Sequence, residues 1–458
     1  MARQRRRKWE IVEEANGTQK TGMGRMQLLV LGGMLFSMFF GAGNLILPPL
    51  LGLQAGAEAV PATAGFLIAG IGLPVLGIIA VALVGDIRRL ASRVHPLFAS
   101  VFIALVYLTI GPFLAIPRTS TTAFEMIKPL IPDGDSLAVA AVFSVAFFAV
   151  AFFLALRPGM LSRILGRFSA PALIVLIALV VGAALLGGAG QAPAAQAPYD
   201  GNAASAGFLA GYQTMDLLAA LCFGIVVASN VREQGVTDPK KVTASISAAG
   251  IVAGVLMAAV YCGLSYVGLS MASSMPDATN GAAILAASAH AHFGEAGSVI
   301  VAAIFLLACL NVCTGLISCC AEYFSEVVPR IPLPSWAAAF AVFSCGVSLV
   351  GLDSILAFSA PLLGALYPPA IALMVLGLAH SVCDKAPRVW PWTVLAVAAA
   401  SVVGALRDAF APGAWIFLDA LPGADMGLGW LCVALAAACV GVVHSKWDAS
   451  RVVAQTGE

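Results

Sequence analysis

Asp216 is the one acid near the middle of any long apolar run of this chain, and it closes the polar cluster in GYQTMDLLAALCFG (211–224). It stands about ten residues, roughly 15 Å of helix, from the outer end of its run. With Gln213 and Thr214, three polar side chains fall within four residues. A carboxylate at such depth is costly and faces a cavity or a partner. One reading is an interrupted helix that offers charge and dipoles to a small polar solute. The other is an interhelical hydrogen bond made by a protonated Asp216.

A second interruption is written in GAGNLILPP (41–49). Pro48 and Pro49 cannot donate to the carbonyls of Asn44 and Leu45 unless a new helix begins there, and then they sit harmlessly in its first turn. Either way the helix breaks at 41–45. Gly41 and Gly43 bare the backbone, and Asn44 adds a carbonyl and an amide. Free N–H groups at the start of the second half-helix suit an anion such as a carboxylate. Carbonyls ending the first half suit a cation. A simple proline kink is the alternative.

Three further motifs carry polar groups. In ACLNVCTGLISCCAEYFSE (308–326), Asn311, Thr314 and Ser318 share one helix face, so their oxygens could help to hold Na+ or bond to neighbouring helices. In GPFLAIPRTSTTAFE (111–125), Pro112 and Pro117 loosen the helix. Arg118 there stands near the outer face, with Glu125 seven residues on. Arg118 either pairs with an acid to gate the outer mouth, forms a static pair or snorkels to the headgroups. LYPPA (366–370) is a hinge or a fixed bend. The ten cysteines lie nearly all in apolar runs without a CxxC pair, and read as small buried residues, not metal ligands. His290 and His292 are two apart, so they do not face one another on a helix.

The elements that position these groups are membrane helices. Of 458 residues 60% are hydrophobic and 10% charged, with a mean hydropathy of +0.97; a soluble protein carries about 25% charged residues. Twelve apolar runs long enough to span recur, at about 26–56, 59–84, 98–117, 136–156, 169–190, 208–231, 242–270, 298–320, 335–352, 354–378, 390–410 and 427–445. With the N-terminus inside, every Lys and Arg of the 24 falls in an inside segment except Arg118, Lys128 and Arg407. The expectation is an all-α polytopic membrane protein of twelve transmembrane helices with both termini cytoplasmic. Residues 1–25, with RQRRRK at 3–8, form a basic cytoplasmic tail, and 446–458 a second tail. Interrupted helices opening two five-helix units point to an inverted repeat, 26–190 and 207–378, followed by two further helices at 390–445. The segment 191–206 reads as a flexible loop, and GAAILAASAHAHFG within 271–297 as a short helix over the outer mouth.

Five blocks in order, FGAGNLILPPLLGLQAG (40–56), IGPFLAIPRTSTTAFE (110–125), GYQTMDLLAAL (211–221), CAEYFSE (320–326) and ALYPPAIAL (365–373), resemble the bacterial branched-chain amino acid:cation symporter family. The resemblance implies cation-coupled uptake of leucine, isoleucine and valine, usually with Na+. It also implies the LeuT-type 5+5 inverted repeat of the amino acid–polyamine–cation superfamily. By that likeness Gly41, Ala42, Gly43 and Asn44 would hold the substrate carboxylate through backbone N–H groups, and Gln213, Thr214, Met215 and Asp216 would meet its ammonium. Carbonyls of Ser37, Phe40 and Ala308 with the Asn311 side chain would surround Na+. LeuT-type sodium sites commonly carry adjacent hydroxyls on the eighth span, where this chain has Asn311 and Val312, so H+ coupling stays open.

The expected function is therefore a secondary symporter in a bacterial plasma membrane. Its partners would be a small amino acid and the lipid bilayer, with no cofactor, nucleic acid or obligate protein partner. A proton-coupled permease for another neutral amino acid is the alternative within transport. An intramembrane enzyme would need a nucleophile with a base, a metal set or a cofactor motif, and the sequence offers none; nor does it offer an appended signalling domain for a sensor.

Overall fold

A computed structural model of the chain describes residues 23–156, 161–188, 192–236, 238–411, 415 and 418–456, with no strand among them. Residues 1–22 of the expected basic tail lie outside the described residues. In chain order the helices are α1 (Arg25–Phe39), α2 (Ala42–Ala55), α3 (Ala59–Leu67), α4 (Leu73–Val84), α5 (Ile87–Ser92), α6 (Pro96–Leu108), α7 (Ala115–Ile127), α8 (Leu137–Ala155), α9 (Leu161–Gly187), α10 (Ala203–Tyr212), α11 (Asp216–Glu233), α12 (Pro239–Met271), α13 (Gly281–Val327), α14 (Leu333–Ser348), α15 (Leu352–Leu378), α16 (His380–Cys383), α17 (Val389–Phe410) and α18 (Trp430–Thr456). Short π-helical turns, Ile68–Gly72 and Thr109–Phe113, join α3 to α4 and α6 toward α7.

Among the described residues eight helical stretches are long and apolar enough to cross a membrane, or nine with α10 and the start of α11 taken as one span bent by 45°. Three shorter apolar helices, Arg25–Phe39, Pro171–Gly187 and Leu333–Ser348, accompany them. Large apolar side chains such as Val142, Val145 and Phe153 on α8 are exposed, as a lipid-facing helix requires.

One of the eight stretches, Ala42–Val84, doubles back on itself. Gly52 abuts the backbone carbonyl of Ser265, while Thr63 shares a 2.8 Å hydrogen bond with the Ser265 side chain. Eleven residues of straight helix would separate these contacts by roughly 16 Å. The reversal lies at Gly56, whose φ of 48° suits a residue without a Cβ. The chain 192–202 lies along this turn: Ala57 N–H donates to Pro193 O at 2.9 Å and Gln196 N–H to Gln54 O at 2.8 Å.

The helices pair in a crossed pattern. α2 packs along α12 and α10 along α3, while α7 lies against α13 and α8 against α14. Bare backbone permits the closest of these approaches, since a Cβ at Gly52, Gly268 or Gly281 would overlap the backbone of Ser265, Pro49 or Ile46 respectively. Thus α2 is clamped between α12 and the start of α13.

Three boundaries differ from the hydropathy reading. The third stretch runs Pro96–Leu130 and does not end at 117, because Thr119 and Thr121 are buried and donate to the carbonyls of Ile116 and Arg118; a hydroxyl that bonds its own helix needs no water. α13 is two helices joined at Gly294 (φ 65°), the first of which, 281–293, holds His290 and His292 exposed. α18 continues to Thr456, so most of the expected tail 446–458 is helical.

Candidate functional site

The two interruptions meet. α1 ends at Phe39 and α2 begins at Ala42, with Gly41 as its N-cap in extended backbone and no capping side chain. The first N–H groups of α2 therefore have no acceptor within their helix. In the other half, α10 ends at Tyr212 and α11 begins at Asp216. Between them Met215 adopts φ 62°, a left-handed conformation that costs a side-chain-bearing residue about 1–2 kcal/mol. Such strain, held in place by its surroundings, gathers at binding sites.

Asn44 joins the halves. Its side-chain amide donates to Asp216 Oδ2 at 2.6 Å and to the Tyr261 hydroxyl of α12 at 2.5 Å. Asn44 is 1% exposed and Asp216 4%. Thr214 donates to Gly211 O at 2.9 Å and accepts from Asp216 N–H at 3.4 Å. Gln213 accepts from Ser359 of α15 through its side-chain oxygen.

A third interruption lies beside the first two. Gly111 is non-helical (φ −101°, ψ −123°) where Pro112 follows, and α7 starts anew at Ala115 with no side-chain cap. Arg118, 3% exposed, donates from Nη1 to the Gln213 carbonyl at 2.7 Å. Its guanidinium lies against Gly43, where a Cβ would overlap it. The expected placement of Arg118 near the outer face, with Glu125 as a gate partner, is thereby corrected. The guanidinium is buried on the two interrupted helices, and Glu125 lies two turns further along α7.

These groups line a cavity of about 60 Å³. That is room for a few waters, each needing about 10–15 Å³ on this measure. Gly41, Ala42, Gly43, Asn44, Thr214, Met215 and Asp216 all reach it, together with Arg118 and the apolar Ile110, Ala219, Val312 and Leu316. Gln213 touches it only through Arg118.

The expected cation ligands lie at the end of α1 and along α13. Phe40 is buried at the end of α1 but Ser37 is exposed; Ala308 and Asn311 are half-buried on α13. From α13 it is Val312 that approaches Gly41. Thr314 and Ser318 donate to Leu310 O and Ala155 O.

Tyr261 and the break at Gly111 were not singled out from sequence as site elements. A phenol at mid-span in α12 was the available signal for the first, and the Gly111–Pro112 pair for the second.

Residues 24–448 match a family described as branched-chain amino acid transport protein. The chain is 38% identical over 424 residues to the branched-chain amino acid permease BrnQ of Bacillus subtilis, covering 91% of this chain and 96% of that protein. It is 41% identical over 419 residues to the branched-chain amino acid transport system 3 carrier protein of Pseudomonas aeruginosa, covering 90% and 95%. BrnQ of Escherichia coli is 37% identical over 424 residues, covering 92% and 95%. Among solved structures, Mhp1 in its inward-facing conformation superposes with a TM-score of 0.61 at 15% identity, covering 93% of this chain and 91% of that one. Mhp1 with bromovinylhydantoin bound, described as a nucleobase-cation-symport-1 family transporter in a closed conformation, gives 0.61 at 13%, covering 93% of each. The likeness to Mhp1 is one of fold.

Proposed function

The chain belongs to the branched-chain amino acid transport protein family, and from that premise we propose that it is a symporter importing leucine, isoleucine and valine with a cation by alternating access. It is a transport protein rather than an enzyme, in keeping with relatives named as permeases and carriers. The observation that carries the proposal is the Asn44 bridge to Asp216 and Tyr261, where two interrupted helices and an apolar wall line one small cavity.

A zwitterion suits that arrangement. The carboxylate of Asp216 attracts the substrate ammonium, and the first N–H groups of α2 attract its carboxylate. Ile110, Ala219, Val312 and Leu316 suit an aliphatic side chain. Asn44, whose amide N–H now donates to Asp216, would turn its side-chain carbonyl to the substrate ammonium as the site opens.

The twelve-span reading combines the nine candidate spans with the three shorter apolar helices. The crossed pairing supports a LeuT-type inverted repeat: α2, the second half of the first span, lies on α12 of the seventh, and α11, the second half of the sixth, on α4 of the second. Exchanging the two five-helix units maps one pair onto the other. The likeness to Mhp1 supports the same reading. Both termini would be cytoplasmic, and the plasma membrane is the expected location. One bundle rocking against the other would open the site to each side in turn.

For the driving ion, Na+ held by carbonyls of Ser37, Phe40 and Ala308 and by Asn311 is the leading proposal. The approach of Val312, not Asn311, to Gly41 favours a second reading, proton coupling through Asp216. Equilibrium binding of labelled leucine to the purified protein, competed by each other amino acid, tests the substrate. Isoleucine and valine should displace it and charged amino acids should not; absence of saturable leucine binding would overturn the proposal.

A further inference from the structure

The geometry points to Arg118 as the group that recognises the substrate carboxylate, an inference that rests on the transporter reading and assigns one end of its substrate.

A buried guanidinium needs anionic company, because removing it from water costs several kcal/mol unless charge or hydrogen bonds compensate. Arg118 is 97% buried, from its 3% exposure. Among the described residues its one hydrogen bond runs to the Gln213 carbonyl, and Nε–H has no acceptor. Asp216 lies within electrostatic reach but is bonded to Asn44. The cation of the site and its acid are thus both present without closing on each other.

The surroundings sharpen the demand for an anion. The guanidinium rests on Gly43 in the first turn of α2, beside the positive end of that helix dipole. Ala42 of α2, Ala115 of α7 and Asp216 of α11 all line the cavity, and each opens a helix whose N-cap residue makes no side-chain bond to it. Three helix N-termini and a guanidinium around one cavity repel one another unless negative charge lies among them. Asp216 supplies one negative charge, and the substrate ammonium would neutralise it. The substrate carboxylate then restores the balance, received by Arg118 and by the bare N–H groups of α2 together. Because the planar guanidinium presents two parallel donors, it matches a carboxylate better than an ammonium would. Gly43 is required for this, since any side chain there would occupy the place of the guanidinium.

The test compares leucine with leucinamide, which has the same side chain and ammonium but a neutral amide in place of the carboxylate. Both are measured by displacement of labelled leucine from the purified full chain. Wild type should prefer leucine by at least tenfold. In Arg118→Gln that preference should fall toward unity through loss of leucine affinity, leucinamide affinity staying within about threefold. An unchanged preference, or equal loss of both ligands, would overturn the assignment and leave Arg118 a structural cation. Should Arg118→Gln not yield folded protein, Arg118→Lys reads the same ratio: a reduced preference supports the assignment and an unchanged one overturns it. No leucine binding in wild type would instead overturn the transporter reading and this assignment with it.

Discussion

The side-chain amide of Asn44 donates to the Asp216 carboxylate at 2.6 Å, and so closes a contact between residues 172 positions apart. Each stands at the start of a helix that resumes after a break, and Tyr261 receives the other hydrogen of the same amide. One small side chain therefore reports on both halves of the fold and on α12.

Removing that side chain should be felt in substrate binding. Hydrogen bonds to charged groups contribute about 1.5–3 kcal/mol, so Asn44→Ala should raise the KM for leucine roughly 10- to 100-fold. Initial rates of labelled-leucine uptake into proteoliposomes measure this. A KM equal to that of wild type would reduce the Asn44 bridge to packing.

Asp216→Asn keeps the shape and removes the charge. Leucine affinity should drop by about tenfold or more, or the dependence of affinity on the driving cation should disappear. Leucine binding measured across a series of Na+ concentrations and pH values distinguishes the two. Unchanged affinity and unchanged ion dependence would assign Asp216 to an interhelical bond and nothing more.

Both main breaks were legible because glycine, asparagine and proline are poor helix-interior residues and an acid in an apolar run has few bland explanations. The depth of Arg118 was not. Hydropathy ends the third span where TSTT begins at Thr119, since it scores hydroxyls as though they needed water. In the fold Thr119 and Thr121 bond their own backbone, the span continues to Leu130, and Arg118 is drawn from the expected surface into the site. The Tyr261 contact was hidden for a different reason: only tertiary packing decides which mid-span phenol faces a break 217 positions away. Thr314, on the helix face of Asn311, donates its hydroxyl hydrogen to Leu310 O, which leaves its oxygen lone pairs free.

The clamp on α2 gives a stability prediction of opposite signs. A Cβ at Gly52 would overlap the Ser265 carbonyl, whereas one at Gly315 of α13 meets nothing within 4 Å. Overpacking costs about 1–3 kcal/mol, and replacing an open helical glycine by alanine gains about 1 kcal/mol. Thermal unfolding in detergent should show a lower midpoint for Gly52→Ala and an unchanged or higher one for Gly315→Ala. A midpoint for Gly52→Ala at or above that of wild type would contradict the close approach of α2 to α12.

The central claim is coupled transport, and imposed gradients test it most directly. Purified protein in proteoliposomes is given an inward Na+ gradient, an inward H+ gradient, both or neither, and labelled leucine is followed against time. The account predicts transient accumulation of leucine above its external concentration under the Na+ gradient, with no accumulation when neither gradient is imposed. Accumulation under the H+ gradient alone would transfer the coupling to Asp216, and no accumulation under either gradient would contradict symport.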